Sequence, residues 1–277
     1  MFKKLNNSFT TMTWLSVHLF YEDLDQLLVA AVFPFLKKTK KDKKLEQYFF
    51  IRYSEGGKHI RLRIKTQEAA FLKGQINLFF NAFFKATPSK RERESIDDYP
   101  NNSIQYITYE PEFDRYGGQK GIEAAEKQFH LSSEIVQKII ENTPKWDYES
   151  AMGISIQLQL VFLSATGFER SEALAFFDFY YKKWSTVLPK SSLPKPEQIN
   201  NQQGIINFVQ SFWKNLEGEP TFGNQILESW YSQNRKLMLT SDLSTYYDSY
   251  LHLLNNRLGI FNIDEVFLAK LLHKSML

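Results

Sequence analysis

The chain has 277 residues, of which 43% are apolar and 23% are charged, enough for a sizeable core in one large or two small domains. Its net charge of +3, from 34 Lys and Arg against 31 Asp and Glu, is too small to indicate a nucleic-acid partner. The lack of Cys excludes disulfides, thiolate metal ligands and a Cys nucleophile. No segment suits a membrane span, and residues 1–15 lack the apolar core of a signal peptide, so we expect a soluble cytoplasmic protein.

The first part of the chain alternates between strand and helix patterns. The predicted elements are a strand at Thr13–Phe20, a helix at Glu22–Lys37, a hairpin of Gln47–Tyr53 and Lys58–Lys65, a helix at Gln67–Lys85 and a strand at Ser103–Glu110. This order, β-α-β-β-α-β, is that of the ferredoxin-like motif. The lysine-rich stretch Lys37–Lys44 is interpreted as a solvated connection. The residues predicted to be buried in the second helix are Ala70, Phe71, Ile76, Phe79, Phe80 and Phe83.

The rest of the chain has helical periodicity. Helices are predicted at Gly121–Glu141, Tyr148–Ser164, Arg170–Thr186, Ile205–Leu216, Asn224–Leu239, Ser244–Arg257 and Asp264–His273, with a Pro- and Asn-rich linker at residues 191–204. Because strands and helices are segregated along the chain, the predicted class is α+β. We predict one domain with a mixed α/β portion at about 13–118 and a helical portion at about 119–277.

Three cations share one face of the strand that follows the glycine pair. His59, Arg61 and Arg63 alternate with apolar residues, and no acid lies between them. Like charges on one strand face repel, so the arrangement indicates an anionic ligand, which the Arg fork can bind in bidentate fashion. The alternative is a solvated face balanced by acids from a neighbouring strand.

A second candidate site follows the last predicted strand, in the segment YEPEFDRYGG. Glu112 and Arg115 precede Gly117 and Gly118, which permit a sharp turn into the next helix. A charged pair beside a helix N-terminus is a common anion-binding arrangement. The alternative is a plain connection in which Glu112 and Arg115 satisfy each other.

A third candidate is the helical segment LHLLNNRLG, in which His252 and Asn256 share a face. His252 is either an acid or base near neutral pH or a satisfied core histidine. The other three histidines, His18, His130 and His273, lie in no comparable group of residues. Motifs for dinucleotides, ATP, zinc and serine hydrolases are lacking, so we expect neither a cofactor nor a metal.

Four segments, WLSVHLFYEDLDQLL, FFIRYSEGGKHIRLRIK, YEPEFDRYGG and LHLLNNRLG, occur in an order that resembles the C-terminal elimination domain of lantibiotic dehydratases. That domain also occurs as a free-standing protein in thiopeptide and related bacteriocin pathways. The resemblance runs from about Trp14 to Leu272. Nothing in the chain resembles the large glutamylation domain of full-length dehydratases, so we expect a split, stand-alone version.

The resemblance implies a lyase. In this family a partner protein uses glutamyl-tRNA to esterify Ser or Thr of a precursor peptide, and the elimination domain expels glutamate to leave dehydroalanine or dehydrobutyrine. Arg61 and Arg63 match the arginines of its HxRxR motif, Arg115 that of RYGG, and His252 the histidine before NRL. The resemblance implies that the arginines hold the glutamyl group while His252 carries a proton, with protonation of departing glutamate favoured. The residues assigned to catalysis are His252, Arg61 and Arg115, and those assigned to substrate binding are His59, Arg63, Glu112 and Asn256.

Two alternatives stay open. Some stand-alone relatives in thiopeptide pathways instead catalyse a formal [4+2] cycloaddition between two dehydroalanines, and they tend to lose the glutamate-binding arginines that this chain keeps. A third interpretation is a non-catalytic peptide-binding module. The expected partners are the glutamylated precursor peptide and a separate tRNA-dependent glutamylation protein, without direct contact to nucleic acid; a homodimer is one compatible assembly. We also predict that Arg61, Arg63, Arg115 and His252 line one cleft, whose charges lower the pKa of a nearby His.

Overall fold

The computed structural model describes residues 11–91, 93, 95–240 and 246–277. The chain divides into two compact units, Met1–Pro111 and Glu112–Leu277. The predicted α+β class is confirmed, because the described strands all belong to the first unit while the second is helical. The N-terminal residues 1–10, the loop positions 92 and 94 and the start of the helix predicted from Ser244 lie outside the described residues. Within the described ranges, no helix has the length and apolar character needed to cross a membrane.

The first unit is a four-stranded antiparallel sheet with helices. Its elements are β1 (Thr13–Phe20), α1 (Leu24–Leu27), a π-helical turn (Leu28–Val32), α2 (Phe33–Lys41), β2 (Gln47–Tyr53), β3 (His59–Thr66), α3 (Ala69–Ala86) and β4 (Ser103–Gln105). The strand order is β2-β3-β1-β4. The elements follow one another as β-α-β-β-α-β, and the ferredoxin-like motif stays a prediction based on that order. On one side of the sheet, Ile60, Leu62 and Ile64 are fully buried, as β-strand alternation requires.

The predicted last strand is too long. The expected strand Ser103–Glu110 ends at Gln105, after pairing with the last three residues of β1. The next residue, Tyr106, leaves the sheet, because its hydroxyl donates to the Lys73 carbonyl and lies 2.9 Å from Asn77 Oδ1 on α3. The chain therefore reaches Tyr109 outside the sheet.

Two further expectations about the helices of the first unit are wrong. The supposed connection Lys37–Lys44 is helical as far as Lys41, where lysines at the helix C-terminus are favourable with the helix dipole. In α3, Phe71 is 51% exposed, and the buried stripe is Leu72, Ile76, Phe80 and Phe84. This stripe has strict i, i+4 spacing, so the buried face is rotated by about one residue from the predicted one.

The second unit consists of helices that agree with the predicted ones to within a few residues. They are α4 (Gln119–Asn142), α5 (Tyr148–Ala165), α6 (Arg170–Ser185), α7 (Pro196–Asn200), α8 (Gln203–Leu216), α9 (Gln225–Thr240), α10 (Tyr247–Leu258) and α11 (Asn262–Met276). The supposed linker at residues 191–204 is wrong in part, since it contains α7. This short helix forms because Pro196 suits its first turn and Ile199 is buried in a cluster with Ile206 and Leu271.

Candidate functional site

The strand register of the first unit places two histidines and two arginines on one face of the sheet. Antiparallel pairing sets His18 opposite Arg61 and Phe20 opposite His59. Residues that face each other across antiparallel strands project to the same side, and so do alternate residues of one strand. His18, His59, Arg61 and Arg63 therefore form a group that we call the His-Arg face.

The neighbouring strands do not neutralise this group. None of the residues of β1, β2, β3 and β4 is Asp or Glu. One interpretation of the sequence required an acidic neighbouring strand, and the sheet contains no such strand. The described strands thus place no acid beside these mostly buried residues, and the anion site stays a prediction.

Arg61 is held from two directions. Its Nε donates to His59 Nε2 at 3.2 Å, and its guanidinium lies 3.4 Å from the centre of the Tyr53 ring. His59 Nδ1 lies 2.7 Å from the Gly57 carbonyl oxygen. Because the carbonyl can only accept and Arg Nε can only donate, these two contacts fix His59 as the neutral tautomer with its proton on Nδ1. Arg61 is half-buried, and its Nε–H is occupied by this contact with His59.

Arg63 is the most enclosed arginine of the His-Arg face, with 9% of its surface exposed. Its guanidinium lies 4.8 Å from the centre of the Tyr109 ring and 5.3 Å from that of Phe49. Aromatic faces attract a guanidinium through their quadrupoles and shield it from water. Phe49 belongs to β2, while Tyr109 comes from the segment that was expected to be a strand.

The two histidines of this face are held neutral. Burial, followed by the charges of His59, Arg61 and Arg63, lowers the pKa of His18 to about 3. Burial, and less strongly the two arginines, lowers the pKa of His59 to about 4, against the raising effect of the Gly57 hydrogen bond. The rings of His18 and His59 are stacked with 4.9 Å between their centres. The expectation that His18 lies in no comparable group is therefore wrong. His18 and Ser16 are alternate residues of β1, and two polar residues on the same side of a strand could have indicated a polar face.

Arg115 stands at the start of the second unit. Its Nη1 lies 3.3 Å from Glu112 Oε1, as the plain-connection interpretation expected, and its Nη2 donates to Ser249 Oγ on α10 at 3.0 Å. The side chain keeps 40% of its surface exposed. The turn that follows needs glycine, since Gly117 and Gly118 have φ values of +75° and +85°. A Cβ at Gly117 would also lie 2.9 Å from the Tyr246 hydroxyl.

His252 is not a histidine in purely apolar surroundings. Its Nδ1 lies 2.8 Å from Glu265 Oε2, and its ring stacks on Trp184 with 3.9 Å between the centres. Glu265 is buried and also accepts hydrogen bonds from the Tyr180 hydroxyl and, at 3.3 Å, from Asn255 Nδ2. Burial and the neighbouring Glu265 raise the pKa of Tyr180 well above its ordinary value. The His252 side chain is 21% exposed.

The predicted site residues thus fall into two groups. The first unit brings together His59, Arg61 and Arg63, and α10 of the second unit carries both His252 and the serine that anchors Arg115. Asn256 lies one helical turn after His252 and is half-buried. The cleft predicted to unite both groups stays a prediction. Sequence reasoning missed Glu265 and Tyr180, which lie 13 and 72 positions from His252 along the chain on other helices, so no local spacing could indicate them.

Comparison with known proteins places these motifs in a family. Residues 14–276 match the family model described as lantibiotic biosynthesis dehydratase C-term. The epidermin biosynthesis protein EpiB of Staphylococcus epidermidis is 24% identical over 282 residues, which cover 98% of this chain and 27% of EpiB. The chain thus spans about a quarter of the length of that curated relative.

Three solved structures share the fold. The pyridine synthase TbtD from thiomuracin biosynthesis has a TM-score of 0.72 at 13% identity, with 95% of this chain and 97% of TbtD covered. The tRNA-dependent lantibiotic dehydratase MibB from Microbispora sp. 107891 has a TM-score of 0.66 at 19% identity, with coverages of 95% and 28%. TsrL has a TM-score of 0.71 at 12% identity, with coverages of 96% and 94%. Because the family model extends over nearly the whole sequence, the chain belongs to the lantibiotic biosynthesis dehydratase C-terminal domain family.

Proposed function

We propose that this protein eliminates glutamate from glutamylated Ser or Thr residues of a ribosomally made precursor peptide, leaving dehydroalanine or dehydrobutyrine. The observation that carries the proposal is the His-Arg face, whose two histidines are neutral and whose strands β1 to β4 contain no Asp or Glu. The positive charge of this face therefore comes from Arg61 and Arg63. A glutamyl ester supplies a free carboxylate for this charge, and two arginines suit a carboxylate better than any uncharged group.

Arg61 is suited to binding that carboxylate end-on. Its Nε–H is already directed to His59, so its two terminal nitrogens form the fork that a ligand meets. The aromatic ring of Tyr53, which lies against the guanidinium, restricts the orientation of this fork. Such a pre-set donor pair costs little reorganisation when the anion binds.

The proposed reaction balances without an added reactant. A base removes the Cα proton of the glutamylated residue, and the electron pair of that bond forms the Cα=Cβ double bond. The Cβ–O bond of the ester breaks, and its electrons leave with the glutamate carboxylate. His252 carries a proton to the departing glutamate, and the arginines stabilise the negative charge that develops on the enolate.

The proposal implies a partner that performs the first step. A separate tRNA-dependent protein would attach glutamate to the precursor peptide. MibB, described as tRNA-dependent, is a longer protein, because the match covers only 28% of its chain. Arg115, Glu112 and Asn256 are proposed to contact the substrate near His252. A cytoplasmic setting and a homodimer belong to the same proposal.

A second candidate is the formal [4+2] cycloaddition that closes a pyridine ring. The likeness to the pyridine synthase TbtD, which extends over 97% of that chain, favours it. This reaction has no glutamyl carboxylate to bind, so it gives Arg61 and Arg63 no anion to hold. Elimination therefore requires the charges of these two arginines, whereas cycloaddition does not.

Co-expression with a glutamylation partner and a precursor peptide tests the proposal. Wild-type protein should give peptides lighter by one water for each reacted residue, whereas Arg61→Ala should give peptides heavier by one glutamyl unit. Lys58→Gln, at the exposed end of the same hairpin, is the matched charge control and should behave as wild type. Identical peptide masses from wild type and Arg61→Ala would rule out the proposed role of the His-Arg face.

A further inference from the structure

We propose that Glu265 is a positioning residue that fixes the tautomer and the orientation of the His252 ring, and that Tyr180 holds Glu265 in place for this task. The inference deepens the proposed function and rests on it only in assigning proton transfer to His252. Neither residue belongs to the sequence motifs, and both lie on helices other than that of His252.

The hydrogen bonds of Glu265 assign the proton of His252. Glu265 Oε2 faces His252 Nδ1 at 2.8 Å, while its Oε1 accepts from the Tyr180 hydroxyl and from Asn255 Nδ2. An ionised carboxylate can only accept, so the hydrogen in the contact with His252 lies on Nδ1. Three donors around one buried acid compensate the loss of water around it.

The geometry therefore directs the second nitrogen of the ring toward chemistry. With Nδ1–H bonded to Glu265, Nε2 is the atom that takes or gives a proton. The stack on Trp184, with planes only 16° apart, fixes the plane of the ring. A carboxylate behind an imidazole both orients the ring and stabilises the imidazolium form that proton transfer creates.

Two nearby charged side chains, Lys183 and Arg115, are engaged with other partners. Lys183, next to Trp184 on α6, pairs with Asp248 at 2.6 Å, and Asp248 lies one turn before His252 on α10. Arg115 bonds to Ser249, also in the preceding turn. Glu265 is thus the acid that contacts the His252 ring directly. A purely structural interpretation would make this network a buried polar crosslink between helices with no bearing on the proton.

The variant Glu265→Gln separates the two interpretations. The side chain keeps its shape, and its single amide oxygen stays with the two donors Tyr180 and Asn255. The amide NH2 then faces Nδ1, which has to accept, so the proton moves to Nε2. The prediction is an inversion of the tautomer together with a fall in kcat, whereas a purely structural crosslink would leave kcat unchanged.

NMR of 15N-labelled histidine in the whole 277-residue chain measures the tautomer directly. We expect wild-type His252, assigned by its loss in His252→Gln, to carry its proton on Nδ1 and Glu265→Gln to carry it on Nε2. The kcat on glutamylated peptide should fall on the order of 10- to 1,000-fold in Glu265→Gln, with KM within about threefold of wild type. Tyr180→Phe, which removes one donor to Glu265, should give a mixture of tautomers and a smaller loss of kcat.

The control is Asp264→Asn, which makes the same chemical change one residue away, where the carboxylate accepts from Tyr148 instead. It should leave the tautomer and kcat unchanged. A proton on Nε2 in the wild-type ring, or an unchanged tautomer in Glu265→Gln and Tyr180→Phe, would overturn the inference. If the tautomers are as predicted but the wild-type protein releases no glutamate, the proposed function is refuted while the positioning role of Glu265 is retained.

Discussion

The Nε of Arg61 donates to Nε2 of His59 at 3.2 Å, so a neutral histidine positions a charged arginine. His59 is 1% exposed, and its Nδ1 is bonded to the Gly57 carbonyl. These contacts make His59 a positioning residue for Arg61 and leave it little surface with which to touch a substrate. The assignment of His59 to substrate binding stays a prediction.

Replacing His59 by Phe should weaken binding of the glutamylated peptide. The ring volume is kept, but the acceptor for Arg61 Nε is lost, which corresponds to about 1 kcal/mol, or a rise in KM of about fivefold. Steady-state kinetics measures this effect, and Arg61→Ala, His59→Phe and the double variant form a cycle. Additive losses in the double variant would show that His59 does not act through Arg61.

The His-Arg face should make stability depend on acidity. His18 and His59 have pKa values of about 3 and about 4 in the folded protein, below the ordinary value of 6.5 for histidine. Below about pH 6.5 the unfolded chain therefore binds protons that the folded protein refuses, so the free energy of unfolding falls as pH drops toward about 4. We expect a combined loss of about 6 kcal/mol, at about 1.4 kcal/mol per pKa unit, measured by urea unfolding between about pH 7 and pH 4.

The variant His18→Phe should flatten that dependence, because it removes the group with the lower folded pKa. His273→Gln on α11 is the comparison, and because burial also lowers the pKa of His273, we expect it to flatten the dependence too, but less than His18→Phe does. If His18→Phe and wild type lost stability in parallel over this pH range, the depressed pKa of His18 would not be its source.

The aromatic ring of Tyr109 should support Arg63. Tyr109→Ala removes the ring that lies 4.8 Å from the guanidinium, and a partly desolvated cation–π contact contributes about 1 kcal/mol or more. We expect KM for glutamylated peptide to rise by about three- to tenfold. Tyr109→Phe keeps the ring and should stay within about twofold of wild type. Equal losses in the Phe and Ala variants would point to the hydroxyl and contradict the ring contact.

Ser249 should position Arg115. Ser249→Ala removes the hydrogen bond from Nη2 at 3.0 Å but keeps the pairing with Glu112, so we expect a loss of kcat/KM of about three- to tenfold. Arg115→Ala should lose on the order of tens- to thousands-fold, because the charge itself disappears. Kinetics of both variants test the ranking. A larger loss in Ser249→Ala than in Arg115→Ala would contradict it.

The corrected face of α3 gives a stability test. Phe80 is fully buried while Phe71 is 51% exposed, although the sequence predicted both to be buried. Phe80→Ala should lower the free energy of unfolding by about 3–5 kcal/mol, and Phe71→Ala by less than about 1 kcal/mol. Urea unfolding of the two variants measures the difference. Comparable losses would restore the predicted face.

Much of the fold could be predicted from the sequence because local signals are strong. The β-rich, alternating pattern of β1 predicted its limits at Thr13–Phe20, and the strict alternation of β3 predicted its start within one residue of His59 and identified the His-Arg face. Helical periodicity failed where apolar residues surround the helix. The phenylalanines of α3 occur on more than one side, so only tertiary packing decides that Phe80 rather than Phe71 is buried.

The site was predictable only where its residues are close in sequence. His59, Arg61 and Arg63 share a strand, whereas His18 joins them through the pairing of β1 with β3, which periodicity alone does not supply. Glu265 and Tyr180 meet His252 through helix packing, and no spacing rule links their positions. Long-range contacts of this kind need the folded chain.

The most direct test of the central claim uses purified protein and one peptide in two forms, glutamylated on a single Ser and already dehydrated at two positions. Mass spectrometry follows each peptide, and a coupled assay measures released glutamate. We expect wild-type protein to release one glutamate for each dehydroalanine formed, and Arg61→Ala and Arg63→Ala to do so tens- to thousands-fold more slowly, on the order expected for a lost charge-assisted contact. Wild-type protein that leaves the glutamylated peptide intact but closes a six-membered ring in the dehydrated peptide would contradict this expectation.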